Sequence, residues 1–152
     1  MTDIRIQRGD IYYAQLPIME GSVQRGSRPV LVIQNNIGNK YSKTIHIAPI
    51  TTRHMEKVYP MHVYLNAGEC GMPLDSIVLV EQVMVIDKSC LEEYVTSIDN
   101  EKMDEVDDAI VIQLGLSIER IFDRYTKSKN KRKQYKTTNI CRQGTDTLLQ
   151  AG

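Results

Sequence analysis

An arginine and a threonine hydroxyl carry the most pointed chemistry in this chain. Arg28 stands where a loop containing Gly21 and Gly26 gives way to the apolar run Pro29-Val30-Leu31-Val32-Ile33-Gln34. Thr51 lies just beyond a second strand candidate, Thr44–Ile50. A guanidinium stays charged at any accessible pH, and its planar fork of donors matches phosphate oxygens. Placed with a hydroxyl beside a Gly-bearing loop, it points to phosphate chemistry rather than to a metal site.

The elements that must position these groups follow from hydrophobic patterning. Asp10–Leu16 reads as a strand ended by Pro17, and a polar loop, Pro17–Ser27, leads to the strand Arg28–Gln34. That second run is almost continuously apolar, as expected for a central strand. Asn35, Asn36, Gly38 and Asn39 predict a turn. In Thr44–Ile50, Ile45 and Ile47 share one face, while Thr44, His46 and Ala48 share the other. Val58–Leu65 is interrupted by Pro60, which predicts an edge or bulged strand. Ser76–Asp87 is twelve residues long, too long for an ordinary strand, so a bend is expected near Glu81-Gln82. Tyr94–Ile98 adds a short strand.

After Asp99, a good N-cap, the period changes. Met103, Val106, Ile110 and Leu114 recur at helical spacing, Gly115 offers a stop, and Ile118, Ile121, Phe122 and Tyr125 renew the stripe. The expected fold is mainly β with α: a small, curled antiparallel barrel with a C-terminal helix packed on it.

Composition bounds the rest. At 152 residues the chain is one domain. With one Phe and no Trp, Val, Ile and Leu must build most of the core. No apolar run approaches the ~20 residues of a membrane span, and residues 1–8 lack a signal-like apolar region, so a cytoplasmic protein is expected. Three cysteines without a C-x-x-C pair suit reduced thiols better than a disulfide framework. No His, Cys, Asp or Glu cluster has metal-ligand spacing, so neither metal nor cofactor is expected. The zero net charge conceals an asymmetry. Residues 1–117 hold 10 Lys and Arg against 16 Asp and Glu, and residues 118–152 hold 9 against 3. The expected division is a folded domain, 1–126, and a basic, disordered tail, 127–152, either a phosphate anchor or a solvating end.

Several segments in fixed order carry a resemblance: Arg8-Gly9-Asp10-Ile11-Tyr12, Gly21-Ser22, Gln24, the run Arg28–Asn35, Ile50-Thr51, Glu81-Gln82 and Ile86-Asp87-Lys88. From about Gln7 to Leu116 the chain resembles the MazF/PemK family of toxin endoribonucleases, the mRNA interferases of bacterial type II toxin–antitoxin pairs. It looks most like the Gram-positive branch. The resemblance implies an SH3-like barrel, a homodimer, and metal-free cleavage of single-stranded RNA at a short base motif. It also implies a MazE-like antitoxin that lays an extended C-terminal segment across the RNA groove. By the same resemblance Arg28 and Thr51 are the catalytic pair, the loop Pro17–Ser27 caps the substrate, and Glu81-Gln82 borders the RNA groove. Ser22, Gln24, Arg25, Glu81 and Gln82 are therefore expected to contact RNA. Val23 departs from the pattern, since relatives often carry Glu there.

In such a reaction the RNA supplies its own nucleophile. Attack by the 2′-OH on the adjacent phosphorus leaves a 2′,3′-cyclic phosphate and a 5′-OH. The protein must align the reacting atoms and neutralise charge on the non-bridging oxygens. Arg28 suits the second task, and Thr51 would hydrogen-bond the phosphate or the leaving oxygen. Glu81 would take the 2′-proton or pair with Arg28, and the Gln82 amide would read a base edge. A histidine acid–base pair is the competing mechanism, yet nothing in the spacing brings His46, His54 and His62 together. A same-fold gyrase-binding toxin, or a nucleic-acid-binding barrel without catalysis, is the competing function. Absence of the C-terminal Trp that gyrase poisons use counts against the first.

Overall fold

The computed structural model describes residues 5–52, 57 and 59–129. Strand β1, Asp10–Leu16, pairs antiparallel with β2, Gly26–Val32, with Tyr12 opposite Val30 and Leu16 opposite Gly26. A short helix α1, Asn36–Tyr41, precedes β3, Thr44–Thr51. Then come β4, His62–Leu65, the single-turn helix α2, Ala67–Cys70, and β5, Ser76–Leu79. A 3-10 turn, Val80–Gln82, separates β5 from β6, Met84–Asp87. Another, Lys88–Cys90, leads into β7, Leu91–Ser97. Two helices follow, α3 at Asn100–Leu114 and α4 at Ile118–Lys129.

The strands lie in the order β4-β5-β3-β2-β1-β7, and β6 pairs with β3 outside that path. β3 is the hinge of the architecture. Its first half pairs with β6, from Thr44 opposite Asp87 to Ile47 opposite Met84, and its end pairs with β5 at Ile50 and Thr51. Alternation along β1, β2 and β3 splits the apolar side chains between two cores. Tyr12, Ala14, Leu16, Val30, Val32, Ile45, Ile47 and Ile86 fill one. Ile11, Leu31, Ala48, Ile50, Val63, Leu65 and Val78 face the other, where Met103, Val106 and Ala109 of α3 cover them. Each fully buried Val or Ile stabilises the fold by about 1.5–3 kcal/mol relative to exposure.

The barrel with helices agrees with the expectation from patterning, with local differences. β2 begins two residues early because Gly26 and Ser27 pair with Leu16 and Gln15 of β1. The expected turn at Asn35–Asn39 is the start of α1, whose N-cap Asn35 accepts from the amides of Ile37 and Gly38. The bend near Glu81-Gln82 is the 3-10 turn. Gly115, in the left-handed region at φ 61°, divides the C-terminal helix in two. α4 runs through Lys129, past the expected boundary at residue 127, and residues 130–152 of the basic tail lie outside the described residues. Arg8 fastens α3 to the end of β2: Nε donates to the Ile33 carbonyl at 3.0 Å, and Nη2 pairs with Asp107.

Candidate active site

Arg28 stands near the start of β2 and Thr51 at the end of β3, two strands that pair antiparallel. Val32 faces Ile47, Leu31 faces Ala48 and Val30 faces Pro49. That ladder ends at Val30 and Pro49, two positions short of both Arg28 and Thr51, and the end of β3 passes to β5 instead. Thr51 is 9% exposed and pairs with Ile77 of β5.

Arg28 is held by the loop that precedes it. Its Nε donates to the Arg25 carbonyl at 3.0 Å, and its Nη1 donates to Gln24 Oε1. Gly21 and Gly26 adopt φ values of 83° and 77°, which let the loop turn back over the strand end. Arg25 points its guanidinium into the loop, donating from Nη1 to the Met19 carbonyl at 3.1 Å. The loop is anchored from outside by Gln82. Gln82 Oε1 accepts from the Gln24 amide at 2.7 Å, and its Nε2 donates to the Ser22 carbonyl at 3.2 Å. Thus Ser22, Gln24, Arg25 and Gln82 converge around Arg28. Ser22 itself is exposed.

Glu81 faces a residue that sequence reasoning did not place in the site. Its Oε1 lies 3.0 Å from His62 Nε2, and the His62 side chain is only 1% exposed against 28% for Glu81. The Tyr59 ring stands edge-on to the imidazole at 5.2 Å between centroids. Only the β4–β5 register, with His62 opposite Leu79, reveals this neighbour. His46 belongs elsewhere, on β3, where its Nδ1 is 3.0 Å from Gln34 Oε1. The two described histidines are therefore not a pair, and His54 lies outside the described residues. Among the described residues no group of three His, Cys, Asp or Glu is placed to hold a metal ion.

Residues 7–114, the segment that forms every strand and α3, match the PemK-like, MazF-like toxins of type II toxin–antitoxin systems. The chain belongs to the MazF/PemK toxin family. Over 111 residues it is 46% identical to Endoribonuclease EndoA of Bacillus subtilis (strain 168), spanning 73% of this chain and 96% of that protein. The crystal structure of MazF (Form-I) from Deinococcus radiodurans has the same fold, with a TM-score of 0.65 at 24% identity over 75% of this chain and 100% of that one. The MazE–MazF (Form-II) structure from the same organism gives a TM-score of 0.61 at 26% identity, covering 76% of this chain and 100% of that chain. The family match ends at residue 114, before α4 begins at Ile118.

Proposed function

We propose that this MazF/PemK toxin is an endoribonuclease that cuts single-stranded mRNA at a short base motif, leaving a 2′,3′-cyclic phosphate and a 5′-OH. The observation that carries the reading is the Arg28 guanidinium held at the end of the β1–β2 loop by the Arg25 carbonyl and Gln24 Oε1. Identity of 46% with an endoribonuclease over nearly its whole length supports it. Arg28 neutralises charge growing on the non-bridging oxygens as the 2′-oxygen attacks. Thr51 hydrogen-bonds the phosphate and helps to hold the 2′-oxygen, phosphorus and 5′-oxygen in line. These tasks fall to a cation and a hydroxyl, and no step calls for a metal or cofactor.

The working protein is a homodimer in the cytoplasm, neutralised by a MazE-like antitoxin. The likeness to a MazE–MazF complex supports the choice of partner. Residues 1–126 are the catalytic body in this reading.

The decisive experiment incubates the full chain with a long single-stranded RNA in EDTA and maps new 5′ ends by primer extension. Discrete cuts at one motif with 5′-OH ends are expected. Intact RNA in the presence of folded dimer would replace this reading with a binding function on the same barrel.

A further inference from the structure

The turn Val80–Gln82 supplies an amide that is bonded at both ends to the loop carrying the cleavage arginine. Gln82 Oε1 accepts from the Gln24 amide at 2.7 Å and Nε2 donates to the Ser22 carbonyl at 3.2 Å, contacts that bridge 58 and 60 positions of sequence. The same Gln24 turns its side-chain oxygen to Arg28 Nη1, and Arg25 offers its carbonyl to Arg28 Nε. The far side of the clamp is itself fixed. Val80 is 1% exposed in the core, and Glu81 is hydrogen-bonded to buried His62.

We propose that Gln82 is a positioning residue of the cleavage site: its carboxamide clamps the β1–β2 loop, and the clamped loop orients the Arg28 guanidinium. The inference rests on the reading of Arg28 as the phosphate-binding group. It gives Gln82 a different task from the one its residue type suggests. The two bonds to the loop occupy one donor and one acceptor of the amide and fix its orientation, leaving one of each spare. A loop that turns at two left-handed glycines has many alternatives open to it. Two tethers to a rigid turn remove most of them, so less ordering is left for the moment when phosphate arrives.

The test compares the full chain with Gln82→Ala and Gln82→Glu. Glutamate keeps an acceptor for the Gln24 amide but loses the donor to Ser22. Four quantities are read: kcat and KM on a short RNA, the cut motif in a randomised RNA pool, and tryptic cleavage after Arg25. The clamp predicts that Gln82→Ala lowers kcat by ~10–100-fold with a smaller change in KM, as expected when a catalytic group is displaced. The motif stays that of the parent, and the Arg25–Gly26 bond becomes more sensitive to trypsin. Gln82→Glu falls between the parent and Gln82→Ala on both readouts, and it carries the test if the alanine variant does not fold. A relaxed motif at parental kcat would overturn the inference and make Gln82 a base reader. Parental kcat with an unchanged tryptic rate would overturn it as well. If the parent cuts no RNA, the nuclease reading fails, and the tryptic comparison still decides whether Gln82 clamps the loop.

Discussion

His62 and Glu81 form a buried anchor: Nε2 and Oε1 are 3.0 Å apart, and the imidazole is 1% exposed. His62 Nδ1 has no hydrogen-bond partner among the described residues, so Nε2 makes the ring's one polar contact there. Glu81→Ala is expected to cost about 1–3 kcal/mol by leaving that nitrogen buried and unsatisfied. Glu81→Gln keeps an acceptor in place and should cost less. His62→Leu should cost at least as much as Glu81→Ala, because Glu81 Oε2 is already buried without a hydrogen-bond partner among the described residues and the change strands Oε1 as well. Urea unfolding of the three variants checks the order. A Glu81→Ala loss within about 0.5 kcal/mol would reduce the pair to a surface contact.

Arg28 and Thr51 should fail differently. Arg28→Ala is expected to lower kcat by ~100–1,000-fold, the loss seen when a preorganised donor to a developing anion is removed. Arg28→Lys keeps the charge without the fork and should recover only part of it. Thr51→Val preserves shape while deleting the hydroxyl, and a melting curve measured beside kcat separates loss of catalysis from loss of stability at this buried position. Single-turnover cleavage of a short RNA separates these effects from binding. An Arg28→Ala variant cleaving at the parental rate would end the proposed mechanism.

Arg8 matters for more than its ion pair. Its Nε donates to the Ile33 carbonyl at 3.0 Å, while its partner Asp107 has a side chain that is 51% exposed. Asp107→Ala is therefore expected to cost at most about 1 kcal/mol, and Arg8→Ala more. A double-mutant cycle by chemical denaturation should return a coupling of about 0.2–1 kcal/mol that shrinks in high salt. A larger, salt-insensitive coupling would contradict the exposed geometry.

Tyr12 makes stability fall at high pH. Burial, followed by the nearby charges of Asp10 and Tyr94 and a hydrogen bond to Asp10, pushes its hydroxyl up to about 12. An unfolded tyrosine ionises near pH ~10. Its contribution is therefore complete below pH ~10 and is lost as pH rises toward the folded value of about 12. Urea midpoints over this window should drop less in Tyr12→Phe than in the parent. Parallel curves would show that other groups control the alkaline limit.

Much of this arrangement was legible because local signals agreed with the fold. Pro60 kept the fourth strand from starting before His62, and the length of Ser76–Asp87 required the bend that became the Val80–Gln82 turn. Asp99 caps α3 through its Oδ1, which accepts from the Lys102 amide at 2.8 Å, as its residue type suggested. Other features were decided by tertiary contact. Asn35 to Asn39 looked like turn residues, yet Asn35 is an N-cap, and a Cβ on Gly38 would lie 2.9 Å from Gln34 side-chain atoms and push that side chain aside. His62 and Glu81 meet only through the β4–β5 register, and no spacing rule within one element brings them together. Gln82 was legible as an amide near the site, but its direction toward loop backbone depended on where the turn set it.

The contact between Gln24 and Arg28 has a consequence for how substrate energy is used. The guanidinium already donates to neutral oxygens of its own loop. An arriving phosphate that takes over these donors exchanges neutral acceptors for anionic ones. Only the difference between the two sets then appears as affinity. In the proposed mechanism that difference grows as negative charge builds on the phosphate oxygens, so binding would be weighted toward the transition state rather than toward intact RNA.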